Sequence, residues 1–553
     1  MPLAPPSGFR GAFRLDDAAR AVYSEAAGIG QILPRAVAVP LDGGDVVTLV
    51  RWAAAGLMPL VPRGSGSSMA GGAIGAGVVV DLSRLRGMDP VDVTQRTIQC
   101  APGTLRDEVD AAARHVRLRF PVDPSSGAYC TIGGMAATNS AGAHTLRYGA
   151  TRPWVQALDC VFADGSRAEL RRGAPPPDVE PVRRFLAVAD ALLAGERTCP
   201  SHHAGVRKES SGYGLHDWAR SHELVDLMVG SEGTLALIVG VELRLAPLLP
   251  ATASVLGVFA SLEHAVDAAV GAREAGAAAC ELLDRTFLDV ARQGGASAIG
   301  AAAEAVLLAE VEGESLDECT ARARALAARF RASGATEVSL ALDPATEHAM
   351  WTLRHAASPI LARLDPALKS MQFIEDGCVP PHRLAEYVRG VRAALDRQGI
   401  RGVIFGHAGD AHMHVNPLVD VSAPGWRTRL DALLAEVTAL AAELGGTIAG
   451  EHGDGRLRAP LLPSLWPAAT LERFAAVKHA FDPAGLLNPG VKVAAAGAHA
   501  VEVVKYDPAL APLPAAARRV LARVEAERAY AAFRLGLLDE ASAAPLDASE
   551  GDA

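Results

Sequence analysis

Only 16 of the 553 residues are histidine, yet three of them fall between positions 407 and 414. The stretch IFGHAGDAHMHVNP sets His407, His412 and His414 beside Asn416, and TIAGEHGDGRLRAP, further along, adds Glu451, His452, Asp454, Arg456 and Arg458. Imidazoles and a carboxylate that converge on one point make a donor set for Zn²⁺ or Mn²⁺. An ion held there polarises a bound hydroxyl and fixes its orientation. A lone histidine is usually a surface residue or a satisfied core residue. A group of them among glycine and apolar residues is costly to bury without a task. In an extended segment His412 and His414 share a face, and His407 is expected to join them through a kink at Gly409.

The elements that must carry these residues differ along the chain. From about residue 251 to 448, Ala-rich helical stretches such as 262–275 and 316–332 alternate with short strands such as 305–311, an α/β pattern. The first 245 residues read as α+β, with three loops of small residues. In the first loop, VPRGSGSSMAGGAIGAGVVVDLSRL, strands at 57–61 and 78–82 flank a Gly/Ser run whose N–H groups could cradle a pyrophosphate. It is not a Walker loop, since no Gly-Lys-Ser/Thr follows, nor a Rossmann turn, since a strand rather than a helix follows. A Gly-rich hairpin is the structural alternative. The other two loops, PSSGAYCTIGGMAATNSAGAHTLRYG and VGSEGTLALI, argue for one large ligand wrapped by all three. Between them, WVQALDCVFADGSRAEL reads as a hairpin with an Asp-Gly turn.

Composition sets the outer bounds. The length suggests two to four domains. Lys+Arg 53 against Asp+Glu 63, a net charge of −10, argues against nucleic acid as partner. No uncharged apolar run reaches the ~18 residues of a spanning helix, and the start shows no secretory h-region, so a cytoplasmic protein, perhipheral at most to the inner membrane, is expected. The seven cysteines form no CxxC pair, which fits a reducing compartment and excludes a locally spaced iron–sulfur site.

Taken in order, the Gly/Ser loop, TIGGMAATNSAG, VGSEGTLALI, GHAGDAHMHVNP, AGEHGDGRLR and LLNPGVK resemble the FAD-linked oxidases of the vanillyl-alcohol oxidase/PCMH flavoprotein superfamily, in its D-lactate/D-2-hydroxyglutarate/glycolate dehydrogenase branch. The resemblance runs from about residue 23 to 492. It implies a PCMH-type FAD-binding α+β domain (1–248), an α/β substrate-binding cap (249–454) and a return segment (455–497). By position, it assigns Arg63, Gly64, Ser65, Gly66, Ser67 and Ser68 to the FAD pyrophosphate. Pro124, Gly133, Gly134, Ala137, Thr138, Asn139 and Ser140 match the second FAD segment, and Gly230, Glu232, Gly233, Thr234 and Ile238 the third. His407, His414 and Glu451 match metal positions, His452 the proposed base, and Arg354 the arginine that grips the substrate carboxylate. Asn416 and Asn488 are placed beside the substrate or flavin.

The implied reaction is oxidation of a D-2-hydroxy acid such as D-lactate, D-2-hydroxyglutarate or glycolate to the 2-oxo acid, with hydride transfer to flavin N5. A quinone, a cytochrome, an electron-transfer protein or a separate Fe–S subunit would accept the electrons, and a homodimer is a further expectation. The FAD is expected to be non-covalent, because the Gly/Ser loop lacks histidine and Cys130 reads as a packing thiol. His412 departs from the small or amide residue usual in the family and raises the question of an extra ligand. Three competing readings remain: another alcohol or sugar oxidase (or alkyl-transferring enzyme) of the superfamily, a metal-dependent hydrolase, and an inert flavin-binding subunit. The resemblance leaves 498–553 unexplained. It reads as one helix over 515–538 with a ragged apolar stripe, packed on its own protein, then a polar, disordered end.

Overall fold

The computed structural model describes residues 3–293, 299–355 and 367–543; the polar end expected at 544–553 lies outside them. Near the N-terminus, strands Ala36–Val39, Val78–Asp81 and Leu60–Arg63 pair in parallel, with Ala12–Arg14 antiparallel at one edge. Because Leu60–Arg63 and Val78–Asp81 are parallel neighbours, the Gly/Ser run between them is a crossover and not a hairpin. Alternation along these strands decides what covers each face. Ala36, Ala38, Leu60, Val78 and Val80 pack against helix Gly43–Gly56, while Val37, Val61 and Val79 face helix Asp17–Val22 and the C-terminal helices.

An antiparallel sheet ordered Thr97–Cys100, Ala236–Arg244, Val155–Phe162, Arg167–Arg171 follows, its last two strands forming the hairpin read from the sequence. The larger sheet runs Ala335–Ala341, Ala251–Phe259, Ala305–Gly313, Ala279–Asp284, Arg401–His407, His412–Asp420, Leu368–Ser370, with Gly377–Cys378 also on His412–Asp420. All its pairings are antiparallel, and helices Leu262–Glu274, Leu316–Ala332 and Leu384–Arg397 bury Ala265, Ala269, Leu326, Phe330 and Tyr387 against it. After residue 455 the chain returns to the first sheet, where the Leu60 N–H donates to Leu486 O and the Asn488 N–H to Leu60 O.

The end of the chain differs from the single helix expected there. It forms two helices, Ala515–Glu527 and Arg534–Ala543, because Arg528 adopts the left-handed conformation (φ 52°). The ragged stripe is thereby gathered into one cluster: Val520, Val524, Leu535 and Leu538 are all buried on the N-terminal sheet. Among the described residues no helix is long and apolar enough to cross a membrane.

Candidate active site

The histidine cluster is built by a strand hairpin. Arg401–His407 pairs with His412–Asp420 so that His407 lies opposite His412, Phe405 opposite His414 and Val403 opposite Asn416. Strand alternation puts His412 and His414 on one face, as expected, and Asn416 with them. His407 reaches them through the short turn Ala408–Asp410, which has Gly409 at its centre and is closed by left-handed Ala411 (φ 55°). Glu451 arrives on a loop stitched to 376–378: Cys378 and Thr447 exchange backbone bonds of 2.9 and 2.8 Å, and the Gly450 N–H donates to Asp376 O. Glycine is required at 450, since a Cβ there would lie 2.7 Å from the His412 ring.

Each of the three imidazoles has one nitrogen held from outside and the other turned inward. His407 Nδ1 is 2.6 Å from Glu281 Oε1, His412 Nε2 2.8 Å from Asp376 Oδ1, and His414 Nδ1 2.9 Å from Glu375 O. On the inner side, Glu451 Oε1 lies 3.5 Å from His407 Nε2 and 3.4 Å from His414 Nε2, and Glu451 Oε2 3.9 Å from His412 Nδ1. Donor atoms of His407, His412, His414 and Glu451 all fall within 4.8 Å of one another, and His412 Nδ1 is buried without a hydrogen-bond partner. Outer-shell acceptors that orient ligating imidazoles are the usual arrangement of a metal centre. The four donors fit a divalent ion, His412 offering one more donor atom than the three residues assigned by resemblance.

Protonation follows the same geometry. Burial pushes His412 down to about 3 and also lowers His414, outweighing the opposing pull of the Glu451 carboxylate and leaving neutral imidazoles. Burial opposes charging of His407, but the Glu281 carboxylate prevails and raises it. Burial likewise works against Glu451, yet Lys208, His407 and His412 hold it well below the usual carboxylate range. Lys208 Nζ is 3.0 Å from Glu451 Oε2 and fully enclosed. His452 stacks on His414, ring centres 5.4 Å apart, with Nδ1 3.2 Å from Glu375 Oε1. Burial lowers it, but Asp376 and Glu375 outweigh this and lift it to about 9. Arg458, wholly buried, pairs with both Glu375 and Asp376 and neutralises that acidic pair.

A cavity of about 1350 Å³ opens beside this cluster. It is lined by Arg354, His407, His414, Asn416, Glu451 and His452, and also by Arg63–Ser68, Pro124, Gly133, Gly134, Ala137, Thr138, Ser140, Glu232, Gly233 and Ile238. Arg354, on helix Pro344–His355, donates from Nε to Glu281 Oε2 at 2.7 Å, with its guanidinium 4.5 Å from the Phe405 ring centre. This leaves the terminal nitrogens as its remaining donors. At the far end Arg63 Nη2 and Ser68 Oγ are buried without partners. Gly66 (φ 77°) leaves open a space that its Cβ would fill at 2.3 Å from Arg63 Nη2. Unpartnered buried donors along a large cavity fit an extended anionic cofactor.

Four expected cofactor residues do not line the cavity but build its walls. Asn139 (φ 53°) accepts from the Arg152 N–H through Oδ1, and Gly230 (φ 88°) donates its N–H to Ala136 O. Thr234 Oγ1 bonds to Tyr213 and to Ser231 O, and Asn488 Nδ2 donates to Gly72 O and Glu232 O. Glu232 reaches the cavity, but its carboxylate accepts from the N–H groups of Asp454 and Gly455 and pairs with Lys492 at 3.0 Å. Glu281, Glu375, Asp376 and Lys208 were missed in the sequence. Their only signals were acids set in apolar runs, ACELLD and QFIEDGCV, and a rare lysine.

Comparison with known proteins agrees with this architecture. A family model described as "FAD linked oxidases, C-terminal domain" matches residues 249–491, and one described as "FAD binding domain" matches 34–171. Glycolate oxidase subunit GlcD of Bacillus subtilis (strain 168) is 29% identical over 481 residues, covering 86% of this chain and 92% of that protein. D-lactate dehydrogenase of Archaeoglobus fulgidus is 30% identical over 469 residues (83% and 92%). D-2-hydroxyglutarate dehydrogenase of Pseudomonas putida is 30% identical over 520 residues, where 88% of this chain spans only 50% of that protein. In fold, the chain is similar to 4-ethylphenol oxidase from Gulosibacter chungangensis, with a TM-score of 0.65 at 16% identity, covering 87% and 94% of the two chains. The chain therefore belongs to the FAD-linked oxidase family, and is an FAD-dependent oxidoreductase acting on CH–OH groups.

Proposed function

We propose that the protein is a dehydrogenase of a D-2-hydroxy acid, forming the 2-oxo acid. The observation that carries this reading is the meeting, in one cavity, of an oriented arginine, a His/Glu donor cluster and the cofactor loops. Curated relatives named for glycolate, D-lactate and D-2-hydroxyglutarate support the class of substrate.

FAD would supply the hydride acceptor, held by Arg63–Ser68, the segment 133–140 and Gly233. A divalent ion on His407, His412, His414 and Glu451 would supply Lewis acidity toward the substrate hydroxyl. Arg354 binds the carboxylate through its terminal N–H pair, since its Nε is committed to Glu281. That two-point grip fixes the direction of the Cα–H bond. His452 takes the hydroxyl proton on Nε2, because Nδ1 faces Glu375. The acids that orient His452 also raise its affinity for a proton, so it acts as base only once neutral; a dication nearby opposes that charge. Asn416, on the same strand face as His414, is the polar group placed beside the substrate. Electrons then leave to a separate quinone, cytochrome, electron-transfer protein or Fe–S subunit, since all seven cysteines are unpaired and none joins a ligand cluster among the described residues.

The test is anaerobic mixing of the flavin-loaded protein with a panel of D- and L-2-hydroxy acids, simple alcohols and sugars. Bleaching of the flavin by D-2-hydroxy acids alone is expected. Bleaching by alcohols or sugars in preference, or by none of the panel, would overturn the proposal.

A further inference from the structure

The chain beyond residue 491 lies outside both family models, and the chemistry above uses none of it. It is nevertheless built into the cofactor cavity. Its two helices form the outer layer of the N-terminal sheet, and the turn between them, at Arg528 and Tyr530, lines the cavity with Ala522 and Glu525. The Tyr530 ring lies 5.4 Å from that of Tyr129, tilted by 37°, and Tyr129 is itself in the cavity wall. Behind this pair sit two guanidinium groups that are almost wholly enclosed, Arg63 and Arg534, 2% and 4% exposed. Arg63 Nη2 and Arg534 Nε and Nη1 have no hydrogen-bond partner. The Arg534 guanidinium lies 5.5 Å from the Tyr530 ring centre, and that of Arg63 5.2 Å from the Tyr23 ring centre. Burial, then repulsion by Arg63, pushes Arg534 down to about 10. The buried Asp81 carboxylate, which accepts from Tyr23, acts on both arginines, yet their unused N–H groups leave donors for a further anion.

The position of this turn along the cavity follows from its neighbours. Arg84 lies over the Phe533 ring at 4.9 Å, and Arg534 is within electrostatic reach of Arg63, Tyr23 and Asp81. These residues surround the Gly/Ser loop and not the imidazole cluster. Just before the first of the two helices, Asp507 pairs with Arg427 of the cap helix Trp426–Glu443 at 2.6 Å, so the segment straps the cap to the cofactor-binding part.

We propose that the turn at 528–530 is part of the FAD site: Tyr530 with Tyr129 offers an aromatic surface, and Arg528 with Arg63 offers positive charge, backed by Arg534 behind the cavity wall, for the adenosine-diphosphate half of the cofactor. The inference rests on FAD and is independent of which hydroxy acid is oxidised. Apoprotein prepared by removing the flavin is titrated with FAD and, separately, with FMN, which keeps one phosphate but lacks the adenosine monophosphate portion, following flavin fluorescence. Arg528→Gln and Tyr530→Ala are each expected to raise the Kd for FAD about tenfold, the loss of one charge-assisted or stacking contact, while shifting that for FMN less than twofold. An unchanged Kd for FAD in both variants would overturn the proposal. So would equal weakening of FAD and FMN, which would mean that the turn acts through the fold. Should Tyr530→Ala fail to fold, Arg528→Gln, at a solvent-exposed position on the cavity rim, carries the test alone.

Discussion

Glu281 is the residue on which the two halves of the proposed chemistry depend. It is fully buried, and its two oxygens reach different partners, Oε1 to His407 Nδ1 at 2.6 Å and Oε2 to Arg354 Nε at 2.7 Å. Burial works against its charge, but His407 and Arg354 hold it ionised, far below the usual carboxylate range. Glu281→Gln keeps the shape and one acceptor. The amide oxygen can still orient His407, but its NH₂ then faces the Arg354 Nε–H, donor against donor. A hydrogen bond to a charged group contributes about 1.5–3 kcal/mol, and relief of the buried charge offsets part of that in stability. At about 1.4 kcal/mol per tenfold, losing the Arg354 bond corresponds to roughly 10–100-fold in kcat/KM for the hydroxy acid. Weakened support of His407 is expected to reduce metal affinity about 10–100-fold as well, the usual size of an outer-shell effect. The assay is anaerobic stopped-flow flavin reduction across substrate concentrations, with metal content measured by mass spectrometry before and after dialysis against a chelator. Excess metal should restore the second loss but not the first. A variant within threefold of the parent in kcat/KM, with unchanged metal retention, would refute the assignment of both partners.

Other outcomes follow from the same geometry. His452→Asn should leave FAD bound but abolish substrate-driven bleaching, and bleaching at the parent rate excludes it as base. In metal-stripped protein the rate of bleaching should rise with pH up to about 9, because His452 is protonated below that value and accepts a proton only above it. Adding Zn²⁺ or Mn²⁺ should move that limb to lower pH, and a limb that stays in place contradicts the arrangement. Lys492 is buried between Glu232 at 3.0 Å and Asp454 at 3.1 Å, so Lys492→Met should cost about 3–5 kcal/mol in denaturant unfolding; a loss below 1 kcal/mol shows the network to be dispensable. Burial pushes the Cys130 thiol up to about 11, which keeps it neutral. Acid precipitation should therefore release all the flavin into the supernatant, and yellow colour in the pellet contradicts a non-covalent cofactor.

The motifs by themselves identified the participants whose chemistry is local. His412, His414 and Asn416 share a face through simple strand alternation, and residues of all three small-residue loops line one cavity, as their backbone-exposing composition suggested. Helices at 262–274 and 316–332 and the hairpin at 155–171 were equally legible from periodicity and turn residues. What tertiary structure decided is pairing across distance. Strand register sets His407 opposite His412, and backbone stitching brings Glu451 to both. Nothing local in ACELLD says that Glu281 will join an arginine 73 residues away to a histidine 126 residues away. Nor does the spacing of the C-terminal stripe tell that a left-handed turn at Arg528 will fold it onto the first sheet and into the cavity wall. Such contacts depend on loop closure and burial over the whole chain, where a side chain's partner is set by which surfaces the packed core brings together.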